Sequence, residues 1–279
     1  MAVAAPEPLV AKPSALKRFT KKLFRAVANR DPEYYDMYLD QRESRFAELY
    51  LRPLQQHLKE AGVLPPARIL DAGCQTGRLL VPLAKDGYSV TGIDRSLFAL
   101  RRAKAHLRNA GARAKLTRGD IGSVLSKPGD GYDAVICAEV LYLCEDYRLL
   151  LAKLASAVKP GGLLCVSHRP QAYYLVEALR KGDMDAAAYV LSNREGAFRG
   201  HSYFNWQTEE QLRALYEELG LSLLAVYPID RFAWLAGLDI GAFDQGTCQE
   251  WLRREIDTPL EGGLCARYSF AIAARDRGA

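Results

Sequence analysis

The sequence has six cysteines but no C-x-x-C pair, and four histidines with no H-x-x-x-H or related spacing. It therefore offers no framework for a structural zinc site, and no metal is expected. Cys137 and Cys165 sit inside apolar, strand-like runs, and Cys74, Cys144, Cys248 and Cys265 form no obvious pairs. All six read as small hydrophobes of a reducing compartment rather than a disulfide frame. No apolar run approaches the ~18–20 residues of a membrane span. The cationic N-terminus is not followed by an apolar core and a small-residue cleavage site, so no secretory leader is expected. No internal repeat is visible.

What remains is the composition of an ordinary soluble globular protein: 279 residues, 49% hydrophobic and 25% charged. Its net charge of +5 is unevenly placed. Residues 1–30 hold seven basic side chains and one acid, giving +6, and the remainder is −1. From Ser14, apolar Leu16, Phe19, Leu23 and Val27 recur at helical steps opposite Lys17, Arg18, Lys21, Lys22 and Arg25. A basic amphipathic helix of this kind fits a terminal helix packed on its own domain, peripheral contact with an anionic membrane, or a mitochondrial presequence in a eukaryote. The neutral body argues against a nucleic-acid partner. A cytoplasmic location is expected, and oligomeric state is not readable.

The chain is organised around residues 67–96, ARILDAGCQTGRLLVPLAKDGYSVTGIDRS. A short apolar strand ends in Asp71, and a turn carrying Gly73 and Gly77 follows. An amphipathic helix then leads to a second strand that closes on Asp94, 21 residues after Gly73. This is the opening βαβ unit of a nucleotide-binding sheet. The glycines permit a tight turn and let backbone N–H groups approach a ligand, and the second acid is spaced to reach a ribose diol.

At these residues the sequence resembles the class I S-adenosylmethionine-dependent methyltransferases. Their first motif, an acid followed by glycines at alternate positions, reads here Asp71-Ala72-Gly73-Cys74-Gln75-Thr76-Gly77. Gln75 replaces a usual glycine and narrows the room for backbone approach to the cofactor. The rival G-x-G-x-x-G fingerprint of nicotinamide and flavin proteins lacks its second and third glycines here. Further along, Gly119-Asp120-Ile121 after a third strand, YDAVICAEVLY at the fourth, and Lys159-Pro160-Gly161-Gly162 before the fifth are familiar features of the same family. So are a late Thr208…Gln211 capping box and a last strand, Tyr268–Ala274, inserted antiparallel beside the fifth. The resemblance covers residues 66–168 and 203–276.

The fold it implies is α/β: a doubly wound, mostly parallel seven-stranded sheet with the last strand antiparallel, helices on both faces and a helical cap. Residues 1–30 form a basic tail, 31–65 an N-terminal helical lid, and 66–279 the catalytic domain. Insertions at 169–206 and 229–264 are placed to build the cap, and the aromatics of both suit an apolar substrate. The stretch 193–206 reads as a polar loop.

The resemblance implies S-adenosylmethionine as cofactor, held by Asp71, Gly73, Gln75 and Gly77 at its methionine end. Asp94 and Arg95 would take the ribose side, and Asp120 with the Ile121 N–H the adenine edge. Glu139, ending the fourth strand, would contact cofactor or acceptor, or cap the next helix. His168, ending the fifth strand, is the best general-base candidate, although a strand-end histidine is also commonly a hydrogen-bonded structural residue. Tyr35, Tyr142, His168, His201 and Tyr203 are the substrate-side candidates. Quinone-pathway O-methyltransferases carry a further Glu and a His that bind metal, where this chain has Tyr142 and Leu143. The Asn/Asp-Pro-Pro-Tyr motif of nucleic-acid and glutamine N-methyltransferases is missing. The expected activity is methylation of a small, partly apolar molecule, at oxygen before nitrogen or carbon. Two other classes compete: a non-catalytic protein on the same fold, favoured by Gln75, and a nicotinamide-dependent oxidoreductase.

Overall fold

The computed structural model describes residues 36–126, 129–198, 201–258 and 265–276. The stretch expected to form a basic N-terminal helix, and Tyr35, lie outside the described residues. Helix α1 (Gln41–Glu60) starts where the Asp40 carboxylate accepts from the Glu43 N–H at 2.9 Å. Its buried face is Phe46, Leu49, Tyr50, Leu54 and Leu58, at helical spacing. Pro53 is carried within the helix.

The sheet then alternates with helices: β1 (Arg68–Ala72), α2 (Leu80–Lys85), β2 (Ser89–Asp94), α3 (Leu97–Asn109), β3 (Lys115–Arg118), α4 (Ile121–Leu125), β4 (Tyr132–Cys137), α5 (Tyr147–Ser156) and β5 (Val158–His168). Helices α6 (Gln171–Leu179) and α7 (Met184–Ser192) precede a small hairpin, β6 (Glu195–Phe198) and β7 (His201–Asn205). The stretch expected to be a polar loop is therefore mostly this hairpin. Its loop-like composition hides the pairing of Gly196 with Phe204. The chain ends with α8 (Glu209–Glu217), β8 (Leu221–Ile229), α9 (Phe232–Ala236), α10 (Gln245–Asp257) and β9 (Tyr268–Arg275).

The seven-stranded sheet runs β3-β2-β1-β4-β5-β9-β8, with β9 antiparallel to both its neighbours. Alternation along the strands feeds two cores. Ile69, Ile136, Cys165 and Phe270 face α1, α2, α3 and α10, while Leu70, Val135, Leu164 and Ala271 face α5 and α8. Burial on both faces explains why these strands read as continuous apolar runs. The register sets Asp71 beside Gly92 in β2 and Ile136 in β4. The ends of β1, β2 and β4 therefore share one edge, where the strand order reverses. That edge carries the cavity.

The two insertions differ in what they cover. Trp234 and Trp251 of the second are buried, the latter packing with α1 and Phe243, and no described residue of 229–264 lines the cavity. From the first, Tyr203 alone of the described residues does so.

Candidate cofactor and acceptor site

A cavity of about 1390 Å³ opens at the carboxyl ends of β1, β2 and β4. One side is the loop after β1. Gly73 sits at φ +90°, and a Cβ there would lie 2.5 Å from Val140 Cγ2, so the loop touches the segment after β4 at backbone distance. Gln75 adopts φ +46°, the left-handed conformation that a glycine takes more cheaply. It is held there: its N–H donates to Asp94 Oδ2 at 3.0 Å, and its own side chain accepts from the Thr76 N–H. Gln75 therefore lines the cavity wall without breaking the turn.

Asp94 Oδ1 accepts from the Ser96 N–H at 2.7 Å. The carboxylate is thus aimed by two backbone donors at the end of β2, with lone pairs left for a ligand. Asp71 is 3% exposed, and burial pushes its carboxyl up to about 7, with Arg78 opposing and Asp94 adding to the rise. On the same wall, Asp120 caps α4 through the Ser123 N–H at 3.0 Å and takes Arg95 Nε at 3.1 Å. The capping and the guanidinium hold its carboxyl below the usual range. Ile121 lines the same wall, with its Cδ1 3.9 Å from the position of a Gly73 Cβ. The sequence-expected residues Asp71, Gly73, Gln75, Asp94, Arg95, Asp120, Ile121 and Glu139 all border this cavity. Gly77, at φ +97°, shapes the loop but does not line it.

The opposite side is built from distant parts of the chain. Glu139 follows β4 at φ +60°, its N–H donating to Ser167 Oγ. Arg78 Nη2 donates to its carboxylate at 2.7 Å, and Tyr268 donates a further hydrogen bond. Burial alone would raise this carboxyl, but these partners hold it below the ordinary range. Tyr142 and Leu143 form a short 3-10 turn on the cavity wall. Tyr142 packs 6.1 Å from Phe204 of β7 and beneath the Arg169 guanidinium at 4.7 Å. Tyr203 faces the cavity with its hydroxyl donating to Glu195 at 2.8 Å. The side chain of His201 lies outside the described residues, although its backbone opens β7.

His168 corrects the expectation of a general base. It is 1% exposed, does not line the cavity, and bonds through Nε2 to the Tyr216 hydroxyl at 3.0 Å. Burial pushes its pKa down to about 3. The strand-end position is as expected, but this side chain points into the core beneath α8.

Three features escaped the sequence reading. Arg78 also pairs with Glu43 of α1, lies over the Tyr50 ring at 5.5 Å and is 6% exposed. Its signal was a cation wedged between Gly77 and the apolar Leu79-Leu80. Asp36 bonds His106 on α3 at 2.8 Å, and the Tyr38 N–H donates to Thr76 Oγ1 at 3.1 Å. These contacts seat the turn before α1 on the cofactor loop. Met37, Asp40 and Arg42 then join the cavity wall.

The family model for the methyltransferase domain matches residues 69–162. The ubiquinone biosynthesis O-methyltransferase of Saccharophagus degradans is 30% identical over 161 residues, covering 53% of this chain and 68% of that protein. Its namesake from Aeromonas salmonicida is 30% identical over 181 residues, 60% of this chain and 73% of that protein. Among solved structures, magnesium protoporphyrin IX methyltransferase from Synechocystis with bound SAH aligns at TM-score 0.60 and 19% identity, covering 92% of this chain and all of that one. The 1,6-didemethyltoxoflavin-N1-methyltransferase of Burkholderia thailandensis aligns at TM-score 0.56 and 16% identity over 96% of this chain and 94% of that one. The two structural likenesses establish the fold.

Proposed function

This chain belongs to the class I S-adenosylmethionine-dependent methyltransferases, and within that family we propose that it methylates a hydroxyl of a small, partly apolar metabolite, phenols and catechols first. The observation that carries this reading is the extent of the cavity. Beyond the Asp71–Gly77 loop it continues into a space walled by Met37, Glu139, Tyr142, Leu143 and Tyr203. Two aromatic faces, two aliphatic side chains and one carboxylate suit a flat molecule with a hydroxyl. The O-methyltransferase names of the sequence relatives support oxygen as the acceptor atom.

S-adenosylmethionine supplies a methyl group already activated on a sulfonium. The protein therefore has to hold, orient and exclude water. Asp94 would accept from ribose hydroxyls with the oxygens that Gln75 and Ser96 aim, and Asp120 with Ile121 would border the adenine. Glu139 would accept a hydrogen bond from the acceptor's hydroxyl and fix its direction. No described histidine side chain lines the cavity, and on this reading Glu139 contributes by orienting the acceptor.

The test is calorimetry with S-adenosylmethionine, its demethylated product S-adenosylhomocysteine and NADH, followed by a methyl-transfer screen. Micromolar binding of the first two, none of NADH, and transfer to catechol or phenol is the expected outcome. Transfer confined to amines would replace oxygen by nitrogen.

A further inference from the structure

We propose that Arg78 is a positioning residue of the transfer site, pinning the Glu139 carboxylate at the cavity wall and tying it through Glu43 to helix α1. The inference rests on the methyltransferase reading of this cavity and adds a residue to it.

The geometry is specific. Arg78 stands in the turn that leads from the cofactor loop into α2, and its guanidinium is buried between two carboxylates that do not touch each other's elements. Nη1 meets Glu43 in the first turn of α1, and Nη2 meets Glu139 after β4 at 2.7 Å. The Tyr50 ring, about two turns further along α1, floors the guanidinium at 5.5 Å. An arginine fork satisfies two carboxylates in fixed directions, which a lysine point charge does not. Glu139 meets Tyr268, Arg169 and Tyr142 on its other sides and Ser167 through its N–H. Glu43 faces Asp40 and Arg42 on its own helix, and Asp71 feels Arg78 from β1. Arg78 is the one cation in direct contact with both Glu43 and Glu139 among the described residues. Without it, two like charges would remain buried at the same wall, and one of them would take a proton.

Two consequences separate this from a merely structural ion pair. Glu139 stays an ionised hydrogen-bond acceptor well into acid, because the guanidinium offsets its burial. The first turn of α1 is held by the chain Glu43–Arg78–Glu139 in addition to the contacts of Asp36 and Tyr38.

The test uses the intact protein and the R78K, R78M, E139Q and R78M/E139Q variants, with methyl transfer to catechol as the rate assay. The acid limb of kcat/KM should move up by at least about one pH unit in R78M, and R78K should restore part of that shift. No R78M shift should remain in the E139Q background. A shift that persists there belongs to Asp71 or Glu43, which also face Arg78, and overturns the proposal. An acid limb unmoved in R78M, however slow the variant, overturns it as well. If catechol is not methylated, the acceptor reading has failed while this inference stays open to a direct readout. Titration of glutamate carrying 13C at Cδ, with Glu139 assigned by its loss in E139Q, should give a midpoint at least about one unit higher in R78M. An equal midpoint in both proteins overturns the pinning. Amide exchange in residues 41–45 completes the test: E139Q should loosen that turn as much as R78M does, and no change in E139Q removes the tie to α1.

Discussion

The two walls of the cavity are built on different principles. The cofactor wall comes from one continuous stretch, 71–96, with Asp120 and Ile121 added by the next crossover. It is made largely of backbone: Gly73 and Cys74 N–H groups donate to Ile93 O, and Gln75 and Ser96 N–H groups donate to Asp94. The acceptor wall is made of side chains that meet across long separations. Arg78 is 35 residues from Glu43 and 61 from Glu139. A backbone-built wall needs only the right turn, and its sequence is constrained at a few positions. A side-chain-built wall can be rewritten residue by residue, which fits its proposed role in distinguishing substrates. Fold relatives with differently named substrates share the sheet at under 20% identity.

The sharpest cut through this comparison is Asp94→Ala. It removes the acceptor for two backbone donors and the proposed ribose contact together. The expected loss is roughly 3 kcal/mol, on the order of 100-fold in affinity for S-adenosylhomocysteine. Calorimetry reads it directly, and an unchanged affinity would move the ribose site elsewhere.

This contrast also decides what was legible in the sequence. The cofactor wall was readable because its determinants are local: an acid after an apolar run, glycines two and six residues on, and a second acid after the next strand. Even the departure at Gln75 was visible, although its consequence was not. Whether a side chain at φ +46° blocks the cavity depends on where its amide finds a partner, and that partner is its neighbour's N–H. The acceptor wall was readable in part. Tyr142 and Glu139 follow β4 directly and, like Tyr203, line the cavity. Glu43 and Met37 reach the site only because α1 crosses over it, and no spacing in the sequence announces that crossing. His168 shows the converse failure. Its place at the end of β5 was correct, yet period-two alternation along the strand sends it to the α8 face.

His168→Ala therefore tests where the acceptor wall stops. The variant leaves a cavity and orphans the Tyr216 hydroxyl in a dry core, so about 2–3 kcal/mol of stability should go. Affinity for S-adenosylhomocysteine should stay within about twofold of wild type, because sites without shared partners respond independently. A variant that folds as well as wild type but fails to turn over would place His168 back on the acceptor wall.

Asp71 offers a pH-dependent version of the same comparison. Its folded pKa, near 7, is raised above the ordinary aspartate value because the carboxyl is buried. In the folded protein it therefore holds a proton that the unfolded chain has already lost. The stability this lends is complete at low pH and disappears as pH rises through 7. The ligand-free thermal midpoint should carry a falling component between about pH 4 and 7, where the unfolded carboxyl is ionised and the folded one is not, levelling off above that, and Asp71→Asn should remove that component from the profile. A slope that persists in the variant would assign it to another group, such as Asp230, whose carboxyl burial pushes up to about 6.

The smallest effect is expected where the cofactor wall meets solvent. Arg95 reaches across to Asp120, but its side chain is 79% exposed. Exposed pairs of this kind contribute between nothing and about 1 kcal/mol, since water and salt screen them and two long side chains lose freedom. Arg95→Ala should weaken S-adenosylhomocysteine by less than about fivefold, and the residual effect should shrink in about 0.5–1 M salt, where the Debye length is roughly 3–4 Å. The value of the variant lies in its contrast with Asp94→Ala on the same strand end. One carboxylate is fixed by backbone donors inside the wall, and the other pair closes over its rim. A large loss in Arg95→Ala would mean that the guanidinium covers the bound adenine rather than merely neutralising Asp120. The cofactor wall would then, at that one point, be side-chain-built like its opposite.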